Sequence, residues 1–334
     1  METGKVPPEL LSRLLATSAE DAPGLVLGPH TGRDAAVVEF GERHAVLASD
    51  PVSFATDRPG WYVVHVNAND VACLGAEPRW FLATILIPPS ATEAELEAIF
   101  QDIHAACAEV GATLAGGHTE VSDAVTRPVV SGTMIGEVEA PLVHLAQGAR
   151  PNDAVIQIGA VAIEGTALLA REIPDRLLVG GLASHEVEQA QALLIDPGIS
   201  VLAMARVAWS LPGVHALHDP TEGGIATACW ELAQGAGVGI TVTREAIITH
   251  PLSRRVCGAL GIDELGLLAS GAMLVAIDAE FAEDAVRQLH NFGHPAAVIG
   301  HLGEPAQPAI LVADGATRAL PRFWRDEVVR QLAP

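Results

Sequence analysis

Val66-Asn67-Ala68-Asn69-Asp70-Val71-Ala72-Cys73-Leu74-Gly75-Ala76-Glu77-Pro78 puts a carboxylate where an apolar side chain is expected. The residues from Trp61 to Leu74 read as one helix, stopped by Gly75 with Pro78 just beyond. Within it Asp70 lies between Val66, Val71 and Leu74. A buried lone carboxylate is costly, so Asp70 is paired, bound to a metal, or exposed. Asn67 stands three residues earlier and shares its helix face.

Around this helix the pattern alternates between strand and helix. Ala35–Phe40 and Ala45–Ser49 flank a turn at Gly41-Glu42-Arg43 and read as a hairpin. Phe81–Ile87 reads as a strand ended by Pro88-Pro89. Ser90 and Glu93 have capping-box spacing at the head of the next helix. Leu96, Ile99, Ile103, Cys107 and Val110 give that helix one buried face, and Gly111 ends it. Val129–Val138 is a further strand. Beyond Pro151-Asn152-Asp153 come strands at Ala154–Ile158, Ile240–Thr243, Met273–Ile277 and Ala296–Ile299. Helices are expected near 165–173, 184–194 and 279–291. The second half is therefore also mixed, and two domains, 1–147 and 148–334, are expected.

Composition narrows the function. The chain of 334 residues is 49% hydrophobic, enough for large cores, and carries a formal net charge of -22. Such an acidic surface repels phosphate backbones, which argues against a nucleic-acid partner. No uninterrupted apolar run reaches the ~20 residues of a spanning helix, and no secretory signal is visible, so a cytoplasmic protein without a membrane partner is expected. The four cysteines are scattered, without a C-x-x-C pair, and read as small buried hydrophobes. No P-loop is present, and Gly235–Ile240 reads as a helix-to-strand turn rather than a dinucleotide fingerprint.

What remains is a set of acidic residues at element ends beside small residues: Asp34, Asp50, Asp70 and Asp219. Singly, Asp34 and Asp50 also suit turns, and Asp219 suits a helix N-cap. If they converge, their repulsion calls for cations, and Mg²⁺ held by carboxylates and substrate phosphates is the usual solution. Two glycine-rich segments offer the anion side of such a site. Gly116-Gly117-His118-Thr119-Glu120 follows a strand-like stretch, and Thr221-Glu222-Gly223-Gly224 opens a helix. A Gly-Gly pair equally marks a tight turn.

Taken in order, these segments resemble the PurM/HypE superfamily of ATP-dependent enzymes. They are Asp34-Ala35-Ala36-Val37, Ser49-Asp50, Val66 through Pro78, Gly116 through Glu120, His218-Asp219-Pro220-Thr221-Glu222-Gly223-Gly224-Ile225-Ala226 and Leu268-Ala269-Ser270-Gly271. The superfamily includes aminoimidazole ribonucleotide (AIR) synthetase, HypE, selenophosphate synthetase and thiamine monophosphate kinase, and the chain looks closest to HypE and AIR-synthase-related proteins. The resemblance implies an α/β (α+β) two-domain PurM-like fold. The N-terminal domain would form a dimer β-barrel and the C-terminal domain an α+β sandwich. It implies a homodimer, with ATP in a cleft between domains and Mg²⁺ on the acidic cluster.

Carried over, Asp34, Asp50, Asp70 and Asp219 would hold Mg²⁺. Asn67, Asn69, Gly116, Gly117, Thr119, Glu120, Thr221, Gly223 and Gly224 would contact the nucleotide. Asp70, His118 and Lys5 would be catalytic. A lone histidine is more often structural, and an exposed single lysine is more often inert. HypE dehydrates a carboxamide on its own C-terminal cysteine to a cyanide, using ATP. This chain ends in Pro334 with no cysteine after Cys257, so that reaction on its own tail is not expected. The shared chemistry is ATP-driven activation or phosphorylation of an oxygen on a small metabolite or a partner-protein group. The rivals are a small-molecule kinase like thiamine monophosphate kinase and a non-catalytic scaffold in [NiFe]-hydrogenase or other metallocentre assembly.

Overall fold

The computed structural model describes residue 6 and residues 8–15, 23–29, 33–55, 57–138 and 148–332. After a short helix, α1 (Pro8–Leu15), the described residues fall into two compact units. Lys5 lies outside the described residues, and the expected boundary at 147/148 adjoins residues 139–147, which also lie outside them.

The N-terminal unit contains β1 (Leu25–Leu27), β2 (Ala36–Phe40), β3 (Arg43–Ala48), β4 (Pro51–Val52), α2 (Pro59–Cys73), β5 (Glu77–Ile87), α3 (Glu93–Val110), β6 (Thr113–Val121) and β7 (Val129–Val138). Its sheet runs β1-β2-β3-β7-β5-β6, with β4 also paired to β7. The expected hairpin is β2 and β3, paired antiparallel from Ala36↔Leu47 to Phe40↔Arg43. β5 and β6 are parallel, joined through α3. Helix α2 is apolar around most of its circumference, as a helix packed between two layers must be. Trp61, Tyr62, Val63, Val64, Ala68 and Val71 are all buried. It packs against both α3 and the sheet strand β7.

Two local expectations are corrected. The capping box of α3 is formed by Thr92 and Glu95, not by Ser90 and Glu93. The Thr92 hydroxyl accepts the Glu95 amide at 3.2 Å, and Glu95 accepts the Thr92 amide at 2.6 Å. Ala91 is already tied to the Pro88 carbonyl in a turn, so the helix starts two residues later. The Gly116-Gly117 segment is not a loop after a strand but the middle of β6, at the sheet edge.

The C-terminal unit contains β8 (Ala154–Ile158), α4 (Ile163–Glu172), α5 (Pro174–Val179), α6 (Ser184–Ala192), α7 (Leu202–Trp209), β9 (Val214–His218), α8 (Gly224–Ala236), β10 (Ile240–Thr243), α9 (Pro251–Leu260), β11 (Met273–Ile277), α10 (Ala282–Asn291), β12 (Ala296–Leu302), β13 (Ala309–Ala313), β14 (Ala316–Ala319) and α11 (Glu327–Leu332). Its sheet runs β14-β13-β10-β12-β8-β11-β9. β8 and β11 are buried at every position, which is why they read as continuous apolar runs rather than alternating ones. Ile225, Cys229, Leu232, Ile240, Val242, Leu274, Leu302 and Leu311 share one core between α8 and the sheet. The stretch Ser184–Trp209 is apolar on average but is not one helix, because Asp196 leaves helical geometry with φ -136° and ψ 109°.

Candidate functional site

In the N-terminal unit the key relationship is between Asp50 and α2. Asp50 follows β3 and is exposed. Its main chain is held on two sides by the wholly buried Asn67: Oδ1 accepts the Asp50 amide at 2.9 Å, and Nδ2 donates to the Asp50 carbonyl at 3.2 Å. Nδ2 also donates to the Val63 carbonyl at 2.8 Å. The Gly132 amide on β7 donates to the same Asp50 carbonyl at 2.9 Å. A Cβ on Gly132 would lie 2.8 Å from Asn67 Nδ2, so glycine is needed for this close approach. Both polar atoms of the Asn67 side chain are therefore committed to backbone through three hydrogen bonds, and it acts on the site by positioning Asp50. Asp70 lies on the same helix, only 6% exposed, and Asn69 beside it is fully buried.

The glycine segment has a different character. Every residue from Gly116 through Val121 on β6 is exposed, including Gly117, Thr119 and Glu120. His118 Nε2 lies 3.3 Å from Glu120 Oε2, two residues along the same strand face. Gly117 has φ +146°, and a Cβ there would come within 1.9 Å of the Ala83 carbonyl on β5. Packing alone thus requires glycine at 117. At Gly116 a Cβ would meet only Leu82, at an ordinary 3.7 Å, so sterics do not account for that glycine.

In the C-terminal unit Asp219 follows β9 directly and is buried. It is not the cap of α8, since that position belongs to Gly223 with φ 82°. His218 Nε2 lies 3.2 Å from Glu231 Oε2. Thr221 and Glu222 are half-buried at the turn. The glycine pair is set by packing: a Cβ on Gly223 would lie 2.4 Å from Thr227 Oγ1, and one on Gly224 2.5 Å from the Leu265 carbonyl.

This turn is fastened by Asp326, whose Oδ2 accepts the Gly223 amide at 2.6 Å while Oδ1 accepts the Val328 amide at 2.7 Å. Burial pushes its carboxyl up to about 7, against those backbone bonds. Glu164, in the first turn of α4, is also pushed up to about 7. Burial is the main cause, opposed by the Ser270 hydroxyl and reinforced by the charges of Asp326, Asp219 and Glu222. Sequence reasoning missed Glu164, although it is the one charged residue between Ala154 and Ala170.

A separate group, Asp153, His215 and Asp278, has the residue types of a metal site. His215 Nδ1 donates to Asp153 at 2.9 Å, and its Nε2 accepts from Arg150 at 2.8 Å. Both ring nitrogens are engaged within an ion-pair network, so the group is structural.

Comparison with known proteins gives these features a family. Residues 32–138 match the N-terminal domain of the AIR synthase related protein family, and residues 150–312 match its C-terminal domain. The chain belongs to this family. Within the PurM/HypE superfamily, it is 30% identical over 272 residues to the carbamoyl dehydratase HypE of Cupriavidus necator, covering 78% of this chain and 73% of that protein. The crystal structure of Escherichia coli HypE superposes with a TM-score of 0.70 at 23% identity, covering 94% of this chain and 98% of the other. A HypE structure in complex with ATP gives 0.66 at 23% identity, covering 94% and 91%. The two-domain PurM-like fold is therefore that of the AIR synthase related family.

Proposed function

We propose that this family member binds ATP with Mg²⁺ and uses it to activate an oxygen of a carbamoyl or related group on a small metabolite or partner protein. The observation that carries this reading is the double grip of Asn67 on the Asp50 backbone. It holds an exposed carboxylate at a fixed place beside the helix that carries the buried Asp70. A catalytic constellation needs such support from residues that are themselves locked by packing. The relative that is a carbamoyl dehydratase, and the HypE structure with ATP bound, point in the same direction.

The donor set fits magnesium, because Asp34, Asp50, Asp70 and Asp219 offer hard carboxylate oxygens. Bound there, the ion would offset charge on the phosphates of ATP. Gly116, Thr119, Glu120, Thr221 and the α8 N-terminus are the proposed nucleotide contacts, while Asn69, fully buried beside Asp70, would act by positioning it. Gly117, Gly223 and Gly224 serve by letting the backbone close up. His118, exposed and beside Glu120, is proposed to contact the reacting groups.

The proposed homodimer would use one face of the N-terminal sheet. Ala36, Leu47, Ile135 and Trp80 are paired neighbours across β2, β3, β7 and β5. They form an apolar stripe that is only half-buried, and Trp80 is 44% exposed. The opposite face, with Val37, Val46, Met134 and Phe81, is fully buried. A second copy of this chain, apolar on the same face, is the proposed cover.

The reaction is tested with a peptide carrying an S-carbamoyl cysteine whose carbonyl oxygen is labelled with oxygen-18. Incubation with the protein, Mg²⁺ and ATP is expected to release labelled phosphate with ADP. A stable phosphorylated peptide would replace this reading with a kinase, and nucleotide binding without any turnover would favour the scaffold.

A further inference from the structure

The segment Ile247-Ile248-Thr249-His250 links β10 to α9 and is pinned at its centre. The buried Gln157 side chain grips Ile248 twice: Nε2 donates to its carbonyl at 2.8 Å, and Oε1 accepts its amide at 3.1 Å. Helix α9 is fixed just beyond. The Ser253 hydroxyl donates to the Ala162 carbonyl at 3.2 Å and accepts from the Thr166 hydroxyl at 2.8 Å. The turn between β13 and β14 is tied to the same region, since the Asp314 amide donates to Glu245 at 2.6 Å.

These pieces wall a cavity of about 270 Å³. That lies below the ~300–1,000 Å³ of sites for drug-sized molecules, so it suits a small metabolite. Ile247 and Leu265, both buried, give it an apolar surface. Its polar groups fall into two sets. Arg244 is paired with Glu264 at 3.3 Å and lies 3.8 Å from Asp263, while Glu245 is engaged by the Asp314 amide. Arg254, Asp314 and Thr249 also line the cavity, but among the described residues their side chains make no hydrogen bond or ion pair. Arg254 and Asp314, of opposite sign, thus share one cavity without pairing. Thr249 is only 8% exposed, and a polar group so placed costs free energy unless it finds a partner.

We propose that this cavity binds a small zwitterion, an α-amino acid with a branched apolar side chain. The ligand carboxylate meets the Arg254 guanidinium and the Thr249 hydroxyl, and its ammonium meets the Asp314 carboxylate. Its side chain lies on Ile247 and Leu265. The charges of the wall select this class. An anion alone would gain Arg254 but meet the carboxylates of Glu245, Glu264 and Asp314 uncompensated. A cation alone would gain Asp314 but meet Arg254 unpaired. A molecule carrying both signs satisfies both, with charge-assisted hydrogen bonds at each end. None of these residues is a proposed nucleotide contact, so the site stands whether or not the protein binds ATP.

The probe is L-leucine, titrated by calorimetry into the full-length protein. Saturable 1:1 binding is expected. Two analogues each lack one charge: 4-methylpentanoate lacks the ammonium, and 3-methylbutylamine lacks the carboxylate. Each is expected to bind about tenfold more weakly or worse, as loss of a charged hydrogen bond implies. Arg254→Gln and Asp314→Asn are expected to weaken leucine binding to a similar extent, and Thr249→Val to a lesser one. Arg254 and Asp314 are exposed, and asparagine tolerates the φ of 50° at position 314, so both variants are expected to fold. Absence of saturable leucine binding overturns the assignment. So does full affinity for either analogue, or native affinity for leucine in Arg254→Gln or Asp314→Asn.

Discussion

Asn67 holds the main chain of Asp50 through its amide and its carbonyl at once, at 2.9 and 3.2 Å, across seventeen residues of sequence. The side chain at 67 is thus a strut between α2 and the end of β3. Asn67→Ala removes the strut and leaves the Asp50 backbone groups without it. We expect a loss of roughly 2–3 kcal/mol of stability, typical of a broken buried polar pair. We also expect MgATP binding to weaken in the fraction that stays folded. Urea unfolding and calorimetry read the two effects. A variant with native stability would contradict the positioning role.

The adjacent glycines of β6 are expected to behave differently. Gly117→Ala drives a methyl group into the Ala83 carbonyl in a backbone region that disfavours side chains. It is expected to cost more than about 2 kcal/mol by forcing β5 and β6 apart. Gly116→Ala meets only ordinary contact and is expected to change stability by less than about 1 kcal/mol. Weaker nucleotide binding by Gly116→Ala at native stability would support a contact there, and unchanged affinity would remove Gly116 from the site.

Glu164 gives the metal-free protein a pH dependence of known sign. The carboxyl, ordinarily near 4.5, is pushed up to about 7 by burial in the folded state. The fold therefore holds this proton more tightly than the unfolded chain does. The stabilisation is fully present below about 4.5 and is lost as pH rises through about 7. Glu164→Gln removes the buried charge, so it is expected to raise stability relative to native by roughly 3 kcal/mol more at alkaline than at acid pH. Thermal unfolding across that range is the check, and a pH-independent difference would count against a buried, ionising Glu164.

Thr92→Ala breaks the capping box of α3 and is expected to cost about 1 kcal/mol. Ser90→Ala, at the position first expected to cap, is expected to cost a few tenths at most, since its residue lies before the helix. Equal losses for the two would mean that the helix starts elsewhere.

Much of the fold was legible because hydrophobic pattern and element type agree. The strands at Val129–Val138, Ala154–Ile158, Ile240–Thr243 and Met273–Ile277 have the expected bounds. The register of a cap was less legible, because Ser90-Ala91-Thr92-Glu93-Ala94-Glu95 contains two overlapping boxes and only the preceding turn selects one. Helices α1, α5, α7, α9 and α11, and strands β1, β4, β9, β13 and β14, are not legible in the pattern.

Asp70 announced itself as a carboxylate inside an apolar helix. Glu164 carries a similar signal but sits in a first helical turn, where acidic residues are common for dipole reasons and draw no notice. The hold of Asn67 on Asp50 is a tertiary contact that no sequence spacing encodes.

The most direct experiment is calorimetric titration of ATP into the protein with and without Mg²⁺, repeated on Asp70→Asn. Magnesium-dependent binding by the native protein, lost in a folded Asp70→Asn variant, is the expected result. ATP binding that ignores both magnesium and the loss of the Asp70 charge would contradict the assignment.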